Sequence, residues 1–283
     1  MITESNPFPF KIFFNKYILS NKHRFSGKTI VDFPAGSGET SRVLRHVGAH
    51  VVPFDLFPEY FKVDGLECKR ANIMDGIPVP NAYADILICQ EGMEHFSDQL
   101  FALREFNRVL KHGGLLVITT PNYSNLRSKL SYLLSESERF GSMMPPNEID
   151  SVWMADPDIS NEIYCGHIFL LGIQKLRVLS KLAGFRIARI NSESIKPTSA
   201  LLFPFLYPMI VLVNWLTYKK NLKKNDGISF ELKKEVYSEL FRLAINPRLL
   251  VDGTLFIEFT KEMNSELVSR TLKSVQRTFD EQT

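Results

Sequence analysis

Glu91, Glu94 and His95 form an E-x-x-E-H run directly after the apolar segment Ala84-Asp-Ile-Leu-Ile-Cys89. Two carboxylates and an imidazole at this spacing suit two kinds of chemistry. Glu91, Glu94 and His95 can hold a divalent cation, Mg²⁺ or Zn²⁺, that orients an acceptor oxygen and favours its deprotonated form. His95 can instead act alone as a general base, since an unperturbed imidazole pKa of ~6.5 suits proton removal from a hydroxyl at neutral pH. The plain alternative is that Glu94 and His95 only hydrogen-bond the backbone of the following loop. His167, just ahead of a helical pattern, is a second base candidate, with packing or capping as its alternative. His23, His46, His50 and His112 lack acidic or cysteine neighbours at ligand spacing and take no role.

A second group lies upstream, in Val31-Asp32-Phe33-Pro34-Ala35-Gly36-Ser37-Gly38. Gly36 and Gly38 at a strand-to-helix turn let the backbone approach a ligand closely, and the helix start offers N–H groups to a polar or anionic partner. Asp55 ends the next strand, where an acid can accept hydrogen bonds from ribose hydroxyls. Together they suggest an adenosine-containing ligand. Their alternative is a tight turn and a solvated strand-end acid.

These residues need elements to position them. Residues 28–121 alternate short apolar runs with helical patterns, the signature of a parallel sheet built from βα units. Thr29–Asp32, His50–Asp55, Cys68–Asn72, Ala84–Cys89 and Leu115–Thr119 are the predicted strands, with a helix over Glu39–Val47 stopped by Gly48. Ser97 is the expected N-cap of a helix with Leu100, Leu103, Phe106, Val109 and Leu110 on its apolar face, closed by Gly113-Gly114. Residues 122–165, rich in Ser, Asn, Met and Pro, read as an inserted cap. A helix over Gly172–Ala183, capped by Gly184, leads into a strand at Phe185–Ile190. Leu255–Thr260 is the last strand candidate, and Ser265–Asp280 a polar, peripheral helix. The expected organisation is an N-terminal helical segment (1–27), a Rossmann-like core (28–121), the cap (122–165), a core helix and strand (166–192), an apolar and basic insertion (193–250), and a last strand with a C-terminal helix (251–283).

Within that insertion, Pro197 to Tyr218 carries no charge and is followed by Lys219, Lys220, Lys223 and Lys224. The run reaches the lower length for crossing a bilayer, but Pro204, Pro208 and Asn214 interrupt it. If the strands on either side pair in one sheet, both its ends lie on the same side of any membrane and a single span is excluded. Two readings stay open: an interfacial segment whose lysines engage anionic headgroups, giving peripheral membrane contact through 197–224, or an ordinary core or dimer helix with a solvated basic end.

The whole chain bounds these readings. A chain of 283 residues, 45% hydrophobic, 12% aromatic and 23% charged, can bury a substantial core and is neither disordered nor low-complexity. With 34 Lys and Arg against 31 Asp and Glu, the net charge of +3 gives no bulk attraction for nucleic acid. Cys68, Cys89 and Cys165, an odd number at wide spacing, fit neither a disulfide framework nor a zinc ribbon, and Met1–Phe14 lacks the pattern of a secretory leader. The expectation is a cytoplasmic protein.

The motifs, in this order, resemble those of class I S-adenosylmethionine-dependent methyltransferases. The likeness runs from Lys28 to Asn122 through Asp32-x-x-x-Gly36-x-Gly38, Asp55, Asn72-Ile73 with Ile77-Pro78, Glu94-His95-Phe96 and Lys111-His-Gly-Gly114, and resumes at Gly166-His167 and Leu179–Phe185. It implies a doubly wound α/β sheet whose last strand is antiparallel. It also implies S-adenosylmethionine held by Asp32, Ala35, Gly36 and Gly38 at the amino-acid end, Asp55 at the ribose, Asn72 and Ile73 at the adenine, and Gln90 near the methionine end. Pro34 stands where the pattern usually has its first glycine, and Asn72 where an aspartate is common. The E-x-x-E-H run resembles the metal-binding segment of quinone-precursor O-methyltransferases. The function this implies is methyl transfer, with an oxygen acceptor as first choice; the apolar insertion and the aromatic cap favour a small or lipid-linked acceptor, such as a polyprenyl-linked sugar or a quinone precursor, over a nucleic acid.

Two rivals remain at this level. Gly36-Ser-Gly38-Glu-Thr-Ser41 approximates the turn of nicotinamide-dependent oxidoreductases, although Ser41 replaces its third glycine. A membrane-surface module that keeps the fold without the activity is the other.

Overall fold

The computed structural model describes residues 9–137, 144–149, 151–154, 163–192, 195–224 and 227–271. Along them run α1 (Pro9–Ser20), α2 (Lys22–Phe25), β1 (Thr29–Asp32), α3 (Glu39–His46), β2 (His50–Asp55), β3 (Lys69–Arg70), β4 (Ala84–Gln90), α4 (Gln99–Val109), β5 (Leu110–Pro121) and α5 (Leu126–Ser135). The short pair β6 (Val152–Met154) and β7 (Ile163–Cys165) follows, then α6 (Ile173–Leu182), β8 (Phe185–Asn191), α7 (Pro197–Leu222), α8 (Phe230–Ala244), α9 (Pro247–Val251) and β9 (Thr254–Lys261). The expected C-terminal helix is present from Ser265 to Thr271, and its remainder lies outside the described residues, as do residues 1–8 of the N-terminal segment and parts of the cap.

Seven strands form one sheet in the order β3-β2-β1-β4-β5-β9-β8. The first five are parallel, and β9 enters antiparallel between β5 and β8, from Leu115↔Thr260 to Pro121↔Thr254 on one side and from Phe185↔Lys261 to Asn191↔Phe256 on the other. Strand alternation divides the core into two layers. Val31, Leu87, Cys89, Leu116, Ile118, Leu255, Ile257 and Phe259 face one side with Leu103 and Phe106 of α4 and Leu176 of α6. Ile30, Ile86, Ile88, Val117 and Phe256 face the other with Phe14, Tyr17 and Ile18 of α1 and Leu44 of α3. On that second face Glu258 accepts from Arg24 at 2.6 Å and from the Asn191 amide at 3.0 Å, fastening the N-terminal helices to the far edge of the sheet.

Several local expectations shift. Asp98, not Ser97, caps α4, its carboxylate 2.8 Å from the Phe101 N–H, while the Ser97 hydroxyl points to the Met74 sulfur. Gly113-Gly114 does not close that helix, which ends at Val109; the two glycines sit in a bulge of β5, with Gly113 at φ +73°. The third strand shrinks to Lys69–Arg70 because only Phe54 and Asp55 of β2 pair with it. Pro204 and Pro208 do not break the apolar segment, and α7 runs through both. Within the insertion the described chain also forms α8, started by the Ser229 hydroxyl accepting from the Leu232 N–H, and α9, started by Asn246.

Because β9 reverses direction, the chain leaves the sheet after β8 and returns to it before β9 at one edge. That edge holds the C-terminal ends of β1, β2, β4 and β5, where ligands bind in open α/β sheets. The cap and the insertion are tied together there. The Asn122 amide donates to the carbonyls of Leu249 and Asp252 at 2.9 and 2.8 Å, the Asn125 amide to those of Asn122 and Asp252, and Ser199 of α7 accepts from the Arg127 N–H at 3.1 Å.

Candidate functional site

A cleft of about 510 Å³ opens over the ends of β1, β2 and β4. Such a volume suits a cofactor-sized molecule. Its floor is the turn after β1, where Pro34, Ala35, Gly36 and Ser37 face the opening and Gly36 takes φ +53°. Asp55 braces this turn: one carboxylate oxygen accepts from the Gly36 N–H at 2.7 Å and the other from the Phe57 N–H at 2.9 Å. A carboxylate has about four acceptor sites, so each oxygen keeps capacity for a ribose hydroxyl. Asn72 and Ile73 line the opposite wall. The Asn72 side chain also holds its own loop, accepting from the Met74 N–H at 3.0 Å.

Gln90 joins the turn to β4. Its carbonyl accepts from the Thr40 hydroxyl at 2.5 Å, which leaves the amide nitrogen on the cleft side, buried and without an acceptor among the described residues. A buried donor without an acceptor costs free energy, about 1–3 kcal/mol, that a ligand oxygen would recover.

Two residues of the turn do not line the cleft. Gly38 starts α3 at φ +83°, and a β-carbon there would strike Phe61 and Val63, so backbone conformation and packing both demand glycine. Asp32 lies beneath the floor, 1% exposed, accepting from the Ser41 hydroxyl at 2.6 Å. Burial, reinforced by the charge of Asp55, pushes the Asp32 carboxyl up to about 7 against the pull of the Ser41 hydrogen bond. Leu56, Phe57, Phe96 and Ser97 also line the cleft, without a local signal in the sequence that singles them out.

The acidic and imidazole groups gather beyond β4. Glu91 takes φ +49° and turns the chain, its N–H donating to the Thr119 carbonyl at 2.9 Å. Glu94 is fully buried, accepts from the Thr120 hydroxyl at 2.8 Å and is hydrogen-bonded to Glu91; desolvation holds its carboxyl above the usual range. His95 is hydrogen-bonded through Nδ1 to the Gly166 carbonyl at 3.1 Å, and its ring stacks on that of His167 with centroids 5.5 Å apart. A carbonyl can only accept, so Nδ1 carries the proton and Nε2 the lone pair. The 166–169 segment approaches because Gly166 has no side chain to meet the Ser151 carbonyl, and Gln99 stitches it in place by donating to the carbonyls of Met93 and Phe169.

Glu94, His95 and His167 thereby bring one ligating atom each within 4.8 Å of one another. This trio differs from the expected Glu91, Glu94 and His95: the chain folds the distant His167 onto His95, while Glu91 is engaged with Glu94. Gln99 is the positioning residue that sequence reasoning did not find, since both its partners depend on the fold.

Asp32 yields a test with a defined sign. Its folded pKa is raised, so it contributes stability below its unfolded value near ~4, and that contribution is lost as pH rises toward about 7. Asp32→Asn lacks this titration. Without cofactor, the variant's stability relative to wild type should rise by a few kcal/mol between pH 4 and pH 8, as read by urea unfolding. Parallel profiles for the two proteins would refute the buried, protonated carboxyl.

The profile of the methyltransferase-domain family matches residues 13–190, well over half of the chain. A ubiquinone biosynthesis O-methyltransferase of Xylella fastidiosa (strain M23) is 31% identical over 113 residues, covering 37% of this chain and 46% of that protein. One of the same name from Xanthomonas campestris pv. campestris (strain B100) is 24% identical over 162 residues, covering 50% of this chain and 67% of that protein. The chain thus spans about half the length of the first of these relatives. A SAM-dependent methyltransferase from Archaeoglobus fulgidus has the same fold, with a TM-score of 0.52 and 16% identity over 89% of this chain and 94% of that one. The chain belongs to the methyltransferase-domain family, within the class I S-adenosylmethionine-dependent methyltransferases.

Proposed function

We propose that this protein transfers a methyl group from S-adenosylmethionine to a hydroxyl of a small or lipid-linked acceptor, a sugar or a quinone precursor. The observation that carries the reading is the Nδ1 hydrogen bond of His95 to Gly166, which puts the lone pair on Nε2 of a ring that lines the same cleft as Asp55 and Gln90. S-adenosylmethionine, when bound, supplies an electrophilic methyl on a sulfonium. The chain does the rest. Asp55 accepts from the ribose hydroxyls, the turn at Gly36 lets the protein backbone approach the ligand closely, and the Gln90 amide meets a ligand oxygen. The acceptor hydroxyl loses its proton to Nε2 of His95 as its oxygen becomes the nucleophile, and stacking on His167 holds the ring in place. The O-methyltransferase relatives support the oxygen acceptor, and Ser41, bonded to Asp32 where a nicotinamide site has its third glycine, weighs against the oxidoreductase.

Two variants separate binding from chemistry. Asp55→Ala should weaken S-adenosylmethionine by about 1–3 kcal/mol in calorimetry, since it removes ribose acceptors and the brace of the turn. His95→Ala should lower methyl transfer to phenolic or sugar acceptors ~10²–10⁴-fold with cofactor affinity nearly unchanged. Full activity in His95→Ala overturns the base, and cofactor affinity without turnover on any acceptor favours a binding module.

A second reading rests on the Glu94, His95 and His167 trio, which fits a divalent cation: an imidazole ligand commonly donates its other N–H to a backbone carbonyl, as His95 does. A cation there would orient the acceptor oxygen. Direct titration with Zn²⁺ or Mg²⁺ should show binding that His167→Ala abolishes. Indifference of both binding and turnover to EDTA eliminates the cation.

A further inference from the structure

Helix α7 is unlike the other described helices. It is 26 residues long, with only Ser199 buried. By length and composition it could cross a membrane, but the topology forbids a single crossing. The chain leaves the sheet after β8 and returns before β9 at the same edge, and the segment after α7 is charged. That segment, α8, is also held against α6 by the Arg177–Glu239 ion pair and by the Gln174 amide donating to the Leu240 carbonyl. α7 therefore runs along a surface.

Its outer side has a pattern. Leu201, Phe205, Met209, Leu212 and Leu216 recur at steps of three and four residues, which places them on one stripe. They are 70%, 73%, 63%, 56% and 52% exposed. α5, which packs against α7, adds Leu133 at 80% and Leu134 at 62%. At the C-terminal end of the stripe, Lys219, Lys220, Lys223 and Lys224 are all exposed, and the Lys219 ammonium stands 5.8 Å from the centre of the Trp215 ring. A long apolar stripe ending in an aromatic ring and a cluster of cations is the chemistry of a bilayer boundary.

We propose that α7 lies in the interface of an anionic membrane, with the stripe in the acyl boundary, Trp215 at the headgroup level and the four lysines on lipid phosphates. A second copy of the chain fits less well. Pairing two stripes in parallel sets the lysine cluster against itself, and antiparallel pairing sets it beside Lys196 at the other helix's start. Because α7 springs from the edge that carries the cleft, a docked protein keeps that edge near the lipid, where a lipid-linked acceptor would present its head. The docking is tested apart from the chemistry.

The experiment is co-sedimentation with vesicles of phosphatidylcholine alone or mixed with phosphatidylglycerol. Wild type should pellet with the anionic mixture at low salt and much less with the neutral one. It should be released as the screening length shrinks from ~10 Å at 0.1 M salt to ~3 Å at 1 M. Replacing all four lysines by glutamine should lower partitioning on the order of 10²–10³-fold, and Phe205→Ser with Met209→Ser should weaken binding to the anionic mixture as well. In Trp153→Phe, where Trp215 is the only tryptophan, emission should shift to the blue on anionic vesicles. S-adenosylmethionine affinity, measured on each variant, should stay at the wild-type value, so failure of the docking is not confused with failure of the cofactor site. Wild type that stays in the supernatant, or a variant lacking the four lysines that pellets equally, overturns the proposal. So does a dimer broken by the serine changes in protein that ignores vesicles, which would give the stripe to a second copy.

Discussion

The antiparallel entry of β9 between β5 and β8 is the constraint from which the rest of the molecule follows. Its register with β5, from Leu115↔Thr260 to Pro121↔Thr254, closes both core layers with Phe256 on one face and Leu255, Ile257 and Phe259 on the other. It also places Glu258 under Arg24, so the N-terminal helices anchor on the last strand rather than on a neighbour in sequence. Lys261, nearly buried at the end of the same strand, donates to the carbonyls of Asn107 and Leu110, satisfying groups that the end of α4 leaves over. A parallel strand in this position would have sent the insertion to the opposite edge of the sheet, away from the cleft.

Electrostatics at the cleft follow from burial rather than from charge pairing. Asp32 and Glu94 are both desolvated, and what opposes the upward shift is backbone N–H groups, hydroxyls and a second carboxyl, not cations. Cys89, between them on β4, is pushed well above the usual thiol range for the same reason and behaves as packing.

Much of this was legible in the sequence because parallel strands buried on both faces read as apolar runs, and strand ends carrying Gly36, Asp55 and Gln90 follow from those runs. Asp55 could be placed but not its brace on Gly36 and Phe57, which depends on the approach of two loops. Gly38 was legible as a glycine requirement, but not the part that Phe61 and Val63 play in it, because they arrive from a later segment. The trio around His95 was half visible: Glu94 and His95 are neighbours in sequence, whereas His167 reaches them only because Gln99 and Gly166 let a distant loop close. Helix α7 was ambiguous for a physical reason, since two prolines argue against a helix that neighbouring packing nevertheless supports.

The hydrogen bond from His95 to Gly166 has a thermal consequence. The carbonyl that fixes the imidazole tautomer comes from the loop after β7, not from the sheet, and that loop is held to the 93–95 turn by the Gln99 bonds, the Gly166 bond and the Phe169 N–H to the Glu94 carbonyl. Local opening of such a segment requires less free energy than melting the core. The His95 ring proposed as the base would therefore be held in that tautomer only in the fraction of molecules whose loop is closed, and warming would deplete that fraction while the sheet is still intact. The orientation of the His95 ring and the fold would then have separate heat tolerances, the first set by a handful of hydrogen bonds to one loop.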